Sequence, residues 1–509
     1  MERPSVKSND IATMIKRTKS IPATILPIIT VEHNAEKPLH RQIYDAYRTA
    51  IVNGSLRAGQ RVPSTRMLAS ELGLSRFPVF DAYAQLLAEG YLETRIGAGT
   101  VISQSLPDEQ MMTSELRGPR AAKARPGPRP FSKRAANIGS LVNAPGRRGW
   151  GAFGVNQVAH EHFPFRIWNS LVMRHSRSLR ARGLDYGDPL GSPNLREAIA
   201  TYLRTARGVQ CEAQQIMIVG GSQQGLEITA RVLLDPGSPV WMEEPGCSFA
   251  RNVFAVNDCV IVPVPVDYEG LNVAAGVKRC PKAQAALVMP SHQYPLGVIM
   301  SASRRMQLLD WAQKAGSWII EVDYGSEFRY ESEPIASLQG LDANARVIYV
   351  GTFSRVLFPS LRLGYIVIPT DLIEHFVSVR VAMDLGPSSF HQVVLADFIN
   401  EGHFPRHLRR MRLLYGERRR VLMDCIRKEF GFGVDISGGK AGMHLSVTFK
   451  GIRDQDIARR ACTQNLWLTP LSTSYLGQAP RQGFVLGFGS TSAEAIPAAV
   501  RKLRAMLAK

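Results

Sequence analysis

Residues 103–135 of this chain cannot pack a core. The stretch contains SELRGPRAAKARPGPRPFSKR, in which Pro and Gly recur and the span from Arg117 to Arg134 holds seven basic residues and no acid. That composition reads as a basic linker able to lie along phosphates, so the segments on its two sides must fold separately. Four stretches result: a tail over 1–36 without a sustained helical or strand period, a compact periodic block over 37–102, the linker over 103–135, and an alternating α/β region over 136–509. At about 100–200 residues per domain, a chain of 509 residues holds roughly two to four.

The formal charge of +19 points first to a polyanionic partner. Residues 1–135 hold 20 Lys/Arg against 12 Asp/Glu, so the excess is concentrated in the N-terminal quarter. No apolar run approaches the ~18 residues of a membrane span, and MERPSVKSND lacks the apolar stretch of a secretory signal. A cytoplasmic protein without a membrane partner is expected. Six cysteines scattered without a CxxC pair argue against a zinc site and against a disulfide framework. His160 and His162, in HEH, lack a third ligand at metal spacing, so no metal is expected.

Within 37–102, Leu39, Ile43, Tyr47, Ala50 and Ile51 fall on one face of a 3.6-residue period, after Pro38 and before the stop signal NGS. This predicts a first helix. Pro63 and Ser64 open a second, short helix in STRMLASELG, and Gly73 ends it. Ser75 supplies an N-cap for a third, SRFPVFDAYAQLLAEG, with Pro78 in the first turn, where its missing N–H costs little. YLETRIGAGTVIS comes next as two β-branched runs around Gly97-Ala98-Gly99, a hairpin signal. Three helices and a hairpin in this order predict a winged helix-turn-helix, a DNA-reading module.

The segment PLHRQIYDAYRTAIVNGSLRAGQRVPSTRMLASELGLSRFPVFDAYAQLLAEGYLETRIGAGTVIS resembles the GntR family of bacterial regulators. The resemblance implies that Arg66, in the PS-x-R-x-LA motif, and Arg76, at the start of the recognition helix, bind DNA. Ser64, Thr65 and Ser75 flank them, and Gly97 and Gly99 at the wing tip approach the minor groove. The residue types suit the task, because Arg forks onto guanine edges or phosphates and Gly lets backbone come close. Where the family usually has SRNTV this chain has SRFPV, so Phe77 and Pro78 replace two hydrogen-bonding side chains. A different operator is expected, with Phe77 offering apolar contact to a thymine methyl.

From 136 onward, short β-branched runs alternate with helical patterns: IMIVGG (216–221), AALVMP (285–290), WIIEVDY (318–324) and RVIYVGTF (346–353). Such alternation predicts a mostly parallel sheet covered on both faces. After about residue 400 a long charged helical pattern, HFPRHLRRMRLLYGERRRVLMDCI, leads into strands at MHLSVTF and GFVLGF, a smaller C-terminal α+β subdomain. Arg406, Arg409, Arg410 and Arg412 in that helix read as a solvated charged face rather than a DNA contact.

GDPLGSPNLREAIATYL, IVGGSQQGLEITARVLLDPG, MPSHQYPLG, DYGSEFRY, GTFSRVLFPSLRLGY and EGHFPRHLRRMRLLY have counterparts, in this order, in fold-type I aminotransferases. Joined to the N-terminal module, they make the whole chain similar to the MocR-type regulators. The resemblance implies an α/β, fold-type I PLP-dependent transferase-like domain in a head-to-tail homodimer on a double-stranded DNA operator. Where the family's GTFSK carries the lysine that takes pyridoxal 5′-phosphate as an imine, this chain has Arg355. A guanidinium stays protonated with delocalised lone pairs, so it cannot form that bond. Lys440, in SGGKAGMH, has no family counterpart.

Aligning EVDYGSEFRY without gaps to the family's EDDYDSEFRY puts the carboxylate that pairs with the pyridine nitrogen at Val322; a shift of one residue leaves Asp323 for that place. Losing the carboxylate removes the electron sink. Cys247 stands where relatives stack a Tyr on the ring, and Val485 where many aminotransferases carry an Arg for the substrate carboxylate. At the phosphate end Ser222 and Gln223 begin a helix, a start that favours anions, and Thr352, Ser354 and Arg362 match the family; Tyr324 is expected in the same degenerate pocket. These residues either keep a cup for an anion or cap helices and fill the fold.

The expected protein is a transcriptional regulator rather than an enzyme. Its pocket is expected to hold no covalent pyridoxal phosphate; non-covalent pyridoxal or pyridoxamine phosphate, or another small anionic effector, remain as ligands. The alternatives are an aminotransferase with an accessory DNA-binding domain, and a nucleoid protein bound by charge alone, which would show no sequence preference.

Overall fold

The computed structural model describes residues 30–32, 35–95, 99–104, 151–178, 186–331, 336–477 and 479–508. The expected tail before residue 30, Gly97 of the wing tip and nearly all of the linker lie outside the described residues. The chain divides into two compact units, Met1–Arg129 and Pro130–Lys509.

In the first unit, α1 (Leu39–Val52), α2 (Thr65–Glu71) and α3 (Arg76–Ala88) precede an antiparallel hairpin of β1 (Leu92–Arg95) and β2 (Gly99–Ile102), paired from Leu92↔Ile102 to Arg95↔Gly99. The apolar stripe of α1 is the reason it packs: Ile43, Tyr47, Ala50 and Ile51 are buried and share a core with Val79, Ala82, Tyr83 and Leu86 of α3. Within that core the Tyr83 hydroxyl lies 2.9 Å from that of Tyr47 and 3.1 Å from the Pro63 carbonyl oxygen. Two buried phenols are thereby satisfied, and α3 is tied both to α1 and to the turn before α2. Ser64 caps α2 by accepting from the Met67 N–H at 3.2 Å. Ser75 occupies the N-cap position of α3, but its side chain makes no capping bond; the extended backbone alone starts that helix. Gly99 has φ +79°, a left-handed conformation that a side chain would strain.

The second unit is centred on a sheet of β3 (Ile216–Val219), β4 (Pro239–Glu244), β5 (Val260–Asp267), β6 (Gly270–Leu271), β7 (Ala285–Val288), β8 (Trp318–Asp323), β9 (Val347–Thr352) and β10 (Gly364–Val367), in the order β3–β10–β9–β8–β7–β4–β5–β6. From β9 through β5 the pairs are parallel, whereas β10 runs antiparallel to both neighbours. Short, largely apolar strands are what a sheet covered on both faces requires. Along β3, Ile216 and Ile218 enter one core with helices Pro193–Arg207, Phe390–Asn400 and His403–Phe430, while Met217 and Val219 enter another with helices Ser222–Leu233 and Ile373–Asp384.

The smaller C-terminal part carries β11 (Asp435–Gly438), β12 (His444–Thr448), β13 (Thr469–Pro470) and β14 (Gly483–Gly487), antiparallel in the order β11–β12–β14–β13. The charged pattern after residue 400 is a single helix of 28 residues, His403–Phe430. Its arginines do more than face water. Arg412 donates to the Glu327 carbonyl at 2.9 and 3.1 Å, and Arg406 and Arg410 donate to the carbonyls of Glu401 and His162. All four are exposed, as a charged face would be, and three of them also brace this unit's own backbone. Among the described residues no helix is long and apolar enough to cross a membrane, and the six cysteines are free thiols.

Candidate functional site

Two sites take shape, one in each unit. In the first, α2 and α3 present Arg66 and Arg76, both exposed, and Arg76 Nε donates to Thr65 Oγ1 at 3.1 Å. The second helix thus helps to orient the first residue of the third. Phe77 is 71% exposed, Phe80 54% and Met67 49%, because Val79, Ala82, Tyr83 and Leu86 already supply the buried face of α3. The outward side therefore combines arginine forks with large apolar side chains, a mixture suited to base edges and thymine methyls in a major groove. Phe80 and Met67 escaped the reading of the sequence. Their signal was there: Phe80 lies three residues after Phe77, and a helical face of that spacing excludes both from the buried stripe.

In the second unit a cavity of ≈ 250 Å³ lies at the carboxyl ends of the central strands, where open α/β sheets place their ligands. Ser222 and Gln223 reach it from the helix after β3, Cys247 from the loop after β4, and Val322 and Tyr324 from the end of β8. Thr352, Ser354 and Arg355 reach it from the end of β9, and Arg362 from just before β10. The nine positions singled out in the sequence are thus brought together around one space. Asn156, Leu226, Phe249, Met289, Tyr294 and Pro359 complete the lining. Nothing local marked Asn156, which arrives from far outside the strand motifs. Tyr294 sat inside MPSHQYPLG but was not singled out.

The alternation of β8 decides between Val322 and Asp323, since neighbouring residues of a strand point to opposite faces. Val322 lines the cavity. Asp323 points away, where Arg207 holds it at 2.8 Å, and the hydroxyls of Tyr349 and Ser326 donate to it at 2.6 and 2.7 Å. Burial raises the Asp323 carboxyl, but the Arg207 guanidinium and these hydrogen bonds outweigh it and hold the group below the ordinary range. Asp323 is therefore engaged elsewhere.

Arg355 has its guanidinium carbon 5.1 Å from the centre of the Tyr324 ring, and no ion pair with a carboxylate of the described residues. Burial presses its pKa down, against the Tyr324 and Tyr294 hydroxyls and the Cys247 thiol. Lys440 is exposed and absent from the lining, and Val485 is buried in a cluster with Val266, Leu296 and Leu471. At the other end Gly221, with φ +97°, begins the helix Ser222–Leu233. A Cβ there would come 3.4 Å from the Arg362 guanidinium.

Pyridoxal phosphate held in the manner of this fold needs an amine at Arg355 and a carboxylate at Val322. A guanidinium and a hydrocarbon stand there instead, so that end does not fit the group. The end built from Ser222, Thr352, Ser354 and Arg362 at a helix start does fit an anion. His160 and His162 lie outside the cavity, and among the described residues no group of three or more His, Cys, Asp or Glu side chains is arranged to hold a metal ion.

Residues 153–494 match the family "Aminotransferase class I and II", and residues 39–102 match "Bacterial regulatory proteins, gntR family". The chain is 38% identical over 483 residues to the "Probable rhizopine catabolism regulatory protein MocR" of Rhizobium meliloti, covering 94% of this chain and 95% of that one. It is 35% identical over 480 residues to the HTH-type transcriptional regulator YhdI of Bacillus subtilis, covering 93% and 97%. Among solved structures, a kynurenine aminotransferase of Pyrococcus horikoshii in complex with PMP is similar with a TM-score of 0.66 and 26% identity, covering 74% of this chain and 96% of that one. With a GntR helix-turn-helix ahead of an aminotransferase-shaped domain, matched along nearly its whole length by a regulator of the same build, this chain belongs to the MocR-type GntR transcriptional regulators.

Proposed function

We propose that this regulator reads a double-stranded operator as a head-to-tail homodimer in the cytoplasm, and that its aminotransferase-shaped unit holds a small anionic effector without covalent chemistry or turnover. Residues 37–102 read DNA, 103–135 tether, and 136–509 pair the protomers and sense the effector. Arg355 carries this reading. It occupies the lining of the cavity at the place of the family's lysine, and a delocalised cation neither attacks an aldehyde nor shuttles protons. Val322 and Cys247 support it, because they withhold the carboxylate and the stacking ring that amino-group chemistry uses. Pyridoxal or pyridoxamine phosphate held non-covalently, or another anion, are the ligands left.

The test is chemical. Full-length protein is mixed with pyridoxal phosphate, treated with borohydride, digested and examined by mass spectrometry. No stoichiometric phosphopyridoxyl adduct is expected on any residue. An adduct, or transamination in a coupled assay, would replace this reading with an enzyme.

On the DNA side, duplexes selected from a random pool are expected to show paired half-sites by footprinting. Protection without sequence preference would leave only charge-driven binding. Within such a duplex, exchanging the thymine under Phe77 for deoxyuridine removes one methyl, worth about 0.8 kcal/mol or roughly fourfold in affinity. Phe77→Ala is expected to erase that difference without loss of fold, since the ring is already exposed. A variant still sensitive to the methyl would show that Phe77 does not touch it.

A further inference from the structure

Arg355 and Arg362 are the charged side chains of the cavity lining, and among the described residues no carboxylate lines it with them. They serve different ends. Arg362 lies against Gly221 at the start of the helix Ser222–Leu233, which comes after β3, and Arg355 lies against Tyr324, which comes after β8. In the sheet β3 and β8 are separated by β10 and β9, three strand spacings or roughly 14 Å of backbone. The two arginines thus lie against walls of the cavity that belong to different strands.

The Tyr324 end also holds an unmet donor. Its hydroxyl is sealed from water and has no hydrogen-bond partner among the described residues, a costly state for a buried polar group. Arg355, beside it, is a cation pressed by burial with nothing ionised to pair with in the lining. Both groups call for the same thing, an acceptor that carries negative charge. Between the two ends the walls are hydrocarbon, from Leu226, Met289 and Val322. A ligand ammonium would find no carboxylate here and would face the Arg355 cation.

We propose that the effector is a small bis-anion: a phosphate-type group at the helix start beside Arg362, joined through an apolar body to a carboxylate that accepts from Arg355 and from the Tyr324 hydroxyl. This rests on the non-covalent reading above and refines it, ranking a carboxylate first and an amine such as that of pyridoxamine phosphate last.

Titration calorimetry on the full-length protein with three matched probes tests it: 4-carboxyphenyl phosphate, phenyl phosphate and 4-(aminomethyl)phenyl phosphate. The carboxylate is expected to bind at least about tenfold more tightly than phenyl phosphate, with the amine weakest. Arg355→Met should erase the carboxylate's advantage while leaving phenyl phosphate affinity in place, Tyr324→Phe should shrink that advantage, and Arg362→Ala should weaken all three. Should Arg355→Met fail to fold, Tyr324→Phe still reads the same end of the cavity. Equal affinities, no binding at millimolar probe, or an advantage that survives Arg355→Met overturns the proposal. A borohydride-fixed adduct of pyridoxal phosphate overturns the non-covalent reading instead, so the two failures are told apart.

Discussion

Alanine at both Arg66 and Arg76 is expected to weaken binding to a selected operator duplex by about 2–6 kcal/mol, since a bidentate arginine contact to a base contributes about 1–3 kcal/mol. Both side chains are exposed, so the three-helix core built on Tyr47 and Tyr83 should unfold at an unchanged temperature. The two arginines should also fail differently. Arg76 is steadied by Thr65 at 3.1 Å at the start of the helix expected in the groove; if it reads a base, Arg76→Ala relaxes preference at one position. If Arg66 meets phosphate, Arg66→Ala lowers affinity on all sequences alike and flattens the salt dependence by about one unit of slope. Fluorescence anisotropy at several salt concentrations separates these cases. A double variant that keeps its operator affinity would remove α2 and α3 from the interface altogether.

The winged helix was legible because its information is local. Leu39 to Ile51 repeats with a helical period, and glycines and prolines punctuate the residues up to the hairpin. What escaped was the outward face: the same period that buries Val79 and Tyr83 leaves Phe77 and Phe80 in solvent, but only Phe77 stood out, because it occupies a motif position. Ser75 shows the converse. Its residue type announced a side-chain cap, and the helix begins there on backbone geometry alone.

In the larger unit the strands and their parallel order were legible from alternation with helices, and the cavity from motifs that end at strand termini. The choice between Val322 and Asp323 was not. It depends on which way a single residue points in β8, and that is fixed by a partner 116 residues away, Arg207. The bonds that the exposed arginines of the long helix make were likewise hidden, since a carbonyl such as that of Glu327 is distant in sequence. Pairings of this kind are written in tertiary structure, where no periodicity records them.

Asp323→Ala should be among the most destabilising single changes in the second unit, by about 3–5 kcal/mol, because it strands the Arg207 cation in the interior. Arg207 meets Asp323 through both Nε and Nη2, at 2.9 and 2.8 Å, and its remaining bond to Ser291 at 2.8 Å carries no charge. The pH dependence comes from the lowered carboxyl. A native pKa below the unfolded value of about 3.9 means stability that is present above that pH and lost as the pH falls through the native value. The gap between wild type and Asp323→Ala in urea should therefore be widest above pH ~4 and narrow on further acidification. Replacing the pair together, Asp323→Leu with Arg207→Met, should recover the part of the loss that comes from the stranded cation, while the Tyr349 and Ser326 hydroxyls stay without their acceptor. If Asp323→Ala instead unfolds at nearly the wild-type midpoint, the carboxylate is not committed to Arg207.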